Sequence, residues 1–160
     1  MAVRPILIAD DPRLRRKAKR VSTVDSSIQR LINDMIDTMK AAPGVGLAAT
    51  QIGVPLRIAV IQLPDEEDVF TLINPEVVKR SGEREVEEGC LSVPGYRGRL
   101  KRSLTITIKA QDRHGKAVRI KGEDLLAQAL EHELDHLNGI LYIDHLETPE
   151  HLWKTELPSE

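Results

Sequence analysis

Between residues 104 and 138 the chain changes its hydrophobic period, and that change limits the folds open to it. Residues 104–109 (LTITIK) and 117–121 (AVRIK) alternate apolar with polar side chains. Asp112, Arg113, His114 and Gly115 lie between them, which is the pattern of an antiparallel hairpin. From Glu123 to Asn138 the spacing becomes three and four. Leu125, Leu126, Ala129, Leu130, Leu134 and Leu137 then share one stripe of an α-helix, and Gly139 stands where such a helix would end. A second helical stripe, Ile28, Leu31, Ile32, Met35, Ile36 and Met39, predicts a helix over residues 25–40, with Asp25 or Ser26 as its cap and Pro43-Gly44 as its stop. Residues 57–63 and 70–78 read as strands joined by the acidic turn PDEED, with Pro75 disturbing the second. Helix, several strands, helix is the order of an α+β domain.

With 160 residues there is room for one core and no second one. The 23 basic side chains nearly balance 25 acidic ones, and four aromatic rings of the Phe, Tyr and Trp class cannot form a base-stacking platform, so no nucleic-acid partner is expected. The longest stretch without an ionisable group, residues 41–56, is broken by Pro43, Gly44, Gly46, Gly53 and Pro55, so no membrane span is expected either. A lone Cys90 permits no internal disulfide and suits a reducing, cytoplasmic setting. A single domain is expected over 1–146, followed by a polar tail over 147–160.

His132-Glu133-Leu134-Asp135-His136 lies inside the second helical stripe. Residues four apart on a helix are neighbours, so both imidazoles can face one cation, with Glu133 beside it. Cys90, in Glu88-Gly89-Cys90-Leu91-Ser92, is either an inert buried thiol or a third donor. Two His and one Cys would suit a divalent first-row metal and leave a position for water. A fourth ligand from His145 would close the site. Gly44-Val45-Gly46-Leu47-Ala48-Ala49-Thr50-Gln51 is a glycine turn entering a short strand, and it lacks the lysine of a phosphate-binding loop. Taken without the other segments, the HExxH pattern also suits a metallopeptidase or a metal-stabilised binding module.

Together GVGLAATQ, EGCLS and EHELDHL resemble, in order, the GxGLAAxQ, EGCLS and QHExDHL motifs of the peptide deformylases. The resemblance implies antiparallel or mixed sheets packed around a central HExxH-bearing helix, with an amphipathic N-terminal helix. It implies that Cys90, His132 and His136 bind the metal and that Glu133 is the acid/base. Gln51 and the Leu91 backbone amide would contact the formyl oxygen. The metal implied is ferrous iron (Fe2+), with zinc, nickel or cobalt as substitutes. The implied substrate is a nascent chain beginning with formyl-methionine, extended against Val45 and Gly46, and a Glu88–Arg102 ion pair is implied near the metal. Val45, Val86, Leu125 and Ala129 are the candidates for the methionine pocket. Glu131 departs from the family's usual glutamine and adds a carboxylate beside the site. The acidic tail replaces a basic C-terminal helix, so contact with the ribosome is expected to be transient.

Overall fold

The computed structural model describes residues 2–155. Helix α1 (Ser26–Ala41) begins where Asp25 accepts from the amides of Ser27 and Ile28, at 3.0 and 3.1 Å. Its apolar stripe lies on one face of a five-stranded antiparallel sheet of order β1-β2-β3-β6-β7. These strands are β1 (Gly46–Ala48), β2 (Ile58–Ile61), β3 (Phe70–Ser81), β6 (Thr105–Gln111) and β7 (Ala117–Glu123). Ile28, Leu31, Ile32, Met35 and Met39 pack there on Leu47, Ile58, Val60 and Ile73. Helix α2 (Asp124–Leu137) covers the opposite face, with Ala127, Leu130 and Leu134 against Ile61, Leu72, Ile106 and Ile108. All four residues of β2 are buried because both faces are covered, which is why IAVI shows no alternation. Burying each large side chain of these stripes contributes about 1.5–3 kcal/mol.

The irregularity expected at Pro75 falls between Ile73 and Glu76, where the β3–β6 register shifts. Proline has no amide to give the ladder, and Asn74 before it takes a positive φ of 53°. The Asn74 side chain accepts from the Val21 amide and donates to the Val21 carbonyl and to the side-chain Oε1 of Gln111, tying down the irregular stretch.

A second antiparallel sheet, β4-β5-β8, is built from β4 (Arg84–Cys90), β5 (Val93–Arg102) and β8 (Leu152–Lys154). It joins α2 through ionic contacts described below. The expected polar tail thus contributes a strand: Leu152 pairs with Gly98 and Trp153 with Arg97, and the Arg99 guanidinium lies 5.7 Å from the Trp153 ring centre. Residues 156–160 of that tail lie outside the described residues. Among the described residues no helix is long and apolar enough to cross a membrane.

Candidate metal centre and substrate cleft

The two sheets each leave an edge strand, β1 and β4, on the walls of one cleft of about 690 Å³. Val45, Gly46, Gln51, Cys90, Leu91, Leu125, Ala129, His132 and Glu133 line it. Cys90 arrives at the end of β4, and His132 and His136 arrive one turn apart on α2. Their donor atoms lie within 4.8 Å of one another. Cys90 Sγ is 3.3 Å from His136 Nε2, which is 3.2 Å from His132 Nε2. Metal–nitrogen bonds of about 2.0–2.1 Å give a tetrahedral edge of roughly 3.3 Å, which the two separations from His136 match, and all three donors are close enough to share one cation.

Tautomer and orientation are built in as well. His132 donates from Nδ1 to Glu88 Oε1 at 2.8 Å, which fixes the ring with its Nε2 edge toward the other donors. Glu88 is in turn gripped by Arg102, at 2.6 Å from Nε and 2.8 Å from Nη2, and both side chains are only 4% exposed. Burial opposes the Glu88 charge, but the Arg102 and His132 hydrogen bonds prevail and hold its carboxyl down at about 2. Arg102 Nη1 continues to Asp135 Oδ2 at 2.8 Å, and His145 Nε2 reaches the same oxygen at 2.8 Å. His145 is therefore committed to Asp135 and supplies no fourth donor to the centre. Burial pulls the His136 ring well below its ordinary basicity, and the charges of His132 and Arg102 push the same way, so this ring stays a neutral donor.

Glu133 sits beside the donors, 3% exposed, and its Oε1 has no hydrogen-bond partner. Burial pushes its carboxyl up to about 7; the His132 charge opposes the shift, while the carboxylates of Glu88 and Asp135 add to it. The other oxygen presses on Gly46: a Cβ placed there would stand 2.5 Å from Glu133 Oε2. Glycine at 46 is thus a spatial requirement of the carboxylate. Gln51 follows β1 in a short 3-10 turn, Ala49–Ile52; its Oε1 accepts from the Ala48 amide at 2.9 Å. That bond turns Nε2 toward Ser92 Oγ at 3.1 Å and Cys90 Sγ at 3.8 Å.

One pocket assignment changes. Val86 does not line the cleft; it is 7% exposed and packs with Val93, Leu100, Leu141 and Tyr142. Its side chain is taken up by that core cluster, against which Cys90 also packs from the cleft side. Sequence reading also missed Tyr96, Arg97 and Gln128, which border the cleft, because their partners come from distant segments. Glu131 points away from the donors. It accepts from the Ser103 amide at 2.7 Å, the Ser103 hydroxyl at 2.8 Å and Arg80 Nε at 2.9 Å.

A His₂Cys donor set with a buried carboxyl beside it, in a cleft where two sheet edges meet, is the equipment of a single-metal hydrolase. A family model described as polypeptide deformylase matches residues 3–151. A peptide deformylase of Dehalococcoides mccartyi (strain CBDB1) is 56% identical, with 100% of this chain and 98% of that protein covered. One from Thermomicrobium roseum is 51% identical over 92% of this chain and 88% of its own length. The crystal structure of a peptide deformylase from Legionella pneumophila, 53% identical, superposes with a TM-score of 0.90 over 94% of this chain and 89% of that one. That of the Synechococcus elongatus enzyme in complex with actinonin, 36% identical, does so at 0.89 over 92% and 80%. The chain belongs to the polypeptide deformylase family, metal-dependent hydrolases that remove the N-formyl group from nascent polypeptides.

Proposed function

We propose that Cys90, His132 and His136 hold one metal ion and that the chain uses it to release formate from N-formylmethionyl peptides, with Glu133, Gln51 and the Leu91 amide as the reacting groups. The observation that carries this reading is the unpartnered Glu133 oxygen beside three metal-ligating side chains whose donor atoms lie within 4.8 Å of one another. When bound, the cation supplies an acidified water near neutral pH and a Lewis acid for the carbonyl oxygen. Glu133 takes the proton of the attacking water. As the formyl C–N bond breaks, it returns that proton to the departing amine, leaving formate and a free amino terminus. The Gln51 Nε2–H and the Leu91 N–H donate to the formyl oxygen as it gains charge, and one donor of this kind contributes on the order of 10²–10³ in kcat.

The free edge of β1 supports strand addition by the substrate main chain around Val45 and Gly46, with the edge of β4 opposite. Val45, Leu125 and Ala129 supply the apolar wall for the methionine side chain. The thiolate and two imidazoles fit ferrous iron, the metal we assign from family likeness, and equally accept zinc, nickel or cobalt. The HExxH-bearing helix α2 is read as the centre of a catalytic unit within 1–146, to which β8 adds an edge. We infer a cytoplasmic enzyme that meets the ribosome transiently.

The test is formate release by protein purified without oxygen and loaded separately with iron, nickel and zinc, against formyl-Met, acetyl-Met and unblocked peptides. Release from the formyl peptide alone is expected, with inhibition by actinonin. Equal release by Glu133→Ala, or none with any metal, overturns the mechanism.

A further inference from the structure

The geometry points to His145 as a positioning residue for the metal centre, acting on His132 through Asp135, Arg102 and Glu88. The inference rests on the metal-site reading above. Four contacts run in series from the molecular surface to a donor ring: His145 Nε2 to Asp135 Oδ2 at 2.8 Å, Arg102 Nη1 to that same oxygen at 2.8 Å, Arg102 to both Glu88 oxygens at 2.6 and 2.8 Å, and His132 Nδ1 to Glu88 Oε1 at 2.8 Å. The inner members are sealed, with Arg102 and Glu88 each 4% exposed, whereas His145 is 38% exposed and belongs to the 3-10 turn Tyr142–His145 beyond α2.

A guanidinium is a rigid planar fork, so the atoms that hold Nη1 also set the direction of Nε and Nη2. Asp135 therefore fixes how Arg102 meets Glu88, and Glu88 fixes the plane of the His132 ring. Asp135 Oδ2 is itself held from two sides, by Arg102 from within and His145 from without. Without His145 the Asp135 carboxylate is tied by Arg102 alone and can swing toward water, since its side chain is 16% exposed. Arg102 then loses a fixed third anchor, and the Glu88–His132 bond loosens. Direct partners of a metal-bound histidine typically change metal affinity 10–100-fold when removed. His145 acts through three intervening side chains, so its removal is expected to weaken zinc binding by about three- to tenfold. The role lies in holding the donor ring, and a merely structural role for His145 would lower the melting temperature without changing metal affinity.

The experiment is a zinc competition titration of the full chain against a chromophoric chelator, for wild type, His145→Ala and His145→Gln. The glutamine amide can donate to Asp135 in place of Nε2. Weakened binding in His145→Ala with recovery in His145→Gln is expected, and in an Asp135→Asn background His145→Ala is expected to add nothing. Unchanged affinity in His145→Ala, loss without recovery in His145→Gln, or a full effect persisting in the Asp135→Asn background overturns the proposal. Wild-type protein that binds no zinc refutes the metal-site reading itself, and the proposal with it.

Discussion

Substituting Gly46 by alanine tests the reacting group through a residue that carries no side chain. The added Cβ would lie 2.5 Å from Glu133 Oε2, 3.0 Å from its Cδ and 3.2 Å from its Cγ. Ordinary contact begins at 3.4 Å, so the carboxylate must retreat by about 0.9 Å or β1 must shift. Gly46 does not have a positive φ, so alanine brings no backbone strain and the effect is one of space. A displacement of about 1 Å in a reacting group costs on the order of 10² in rate, or about 2.7 kcal/mol of transition-state stabilisation. Overpacking at this site should cost about 1–3 kcal/mol of folding stability. The assay is formate release under saturating formyl peptide, with metal content and thermal melting measured on the same samples. The expected result is a kcat reduced about a hundredfold with metal content unchanged. In the Glu133→Ala background, where the clashing atoms are gone, Gly46→Ala should cost little stability. Wild-type kcat in Gly46→Ala, or an equal melting loss in both backgrounds, would refute the steric argument.

Replacing Arg102 by Met leaves the Glu88 carboxylate buried without its two guanidinium bonds, and denaturant unfolding should show a loss of about 3–5 kcal/mol. At Glu131, glutamine keeps an acceptor for the Ser103 amide, its Nε2–H can donate to the Ser103 hydroxyl oxygen in exchange for the bond it received, and the ion pair with the half-exposed Arg80 is lost, so Glu131→Gln should cost under about 1 kcal/mol and leave formate release unchanged. Glu131→Ala strands the buried Ser103 N–H and should cost about 1–3 kcal/mol by the same unfolding measurement. Asp25 is held below the usual carboxylate range by the Ser27 hydroxyl and the Ile28 amide. Its capping contribution is therefore present at neutral pH and lost as pH falls through that lowered pKa. The difference in melting temperature between wild type and Asp25→Ala should shrink in acid, and a constant difference from neutral pH down to about pH 2 counts against charge in the cap.

Periodicity made some elements legible and hid others. The stripe from Ile28 to Met39 buries one face, and so does the one ending at Leu137 apart from Leu125, which is exposed at the cleft, so helical spacing is visible in the residues of α1 and α2. The β6–β7 hairpin was legible from its alternation and from Gly115, whose φ of 82° suits the turn. The extents of strands β4 and β5 were hidden because their outward faces carry Glu85, Glu87, Arg97, Arg99 and Lys101, which mask the alternation of the inward residues. Strand β8 was hidden because its register comes from β5, fifty residues and more away. In the same way, HExxH and EGCLS identify the donors, whereas the placement of Val86 depends on its packing with Val93, Leu100, Leu141 and Tyr142, contacts that motif spacing does not contain.

The acidic residues around the centre explain why Glu133 differs from its neighbours. Glu131 and Asp135 share one side of α2, Glu133 lies on the cleft side, and Glu88 reaches His132 from β4, so four carboxylates lie on or against this one helix. Three are neutralised by specific partners: Glu131 by Arg80 and Ser103, Asp135 by Arg102 and His145, and Glu88 by Arg102 and His132. Among the described residues Glu133 alone keeps a buried carboxylate oxygen without a protein partner. Residues 102 and 103, at the end of β5 and just after it, hold Asp135 and Glu131 one turn apart, so α2 is clamped on the side away from the cleft. The extra negative charge at position 131 is consumed in that clamp and does not reach the donors. A carboxyl in water gains nothing from burial, but one pushed up to about 7 and left without a partner is matched to taking and returning a proton near neutral pH. The surrounding ion pairs therefore do more than hold the helix: by satisfying every neighbouring acid, they leave the proton-transfer role to Glu133.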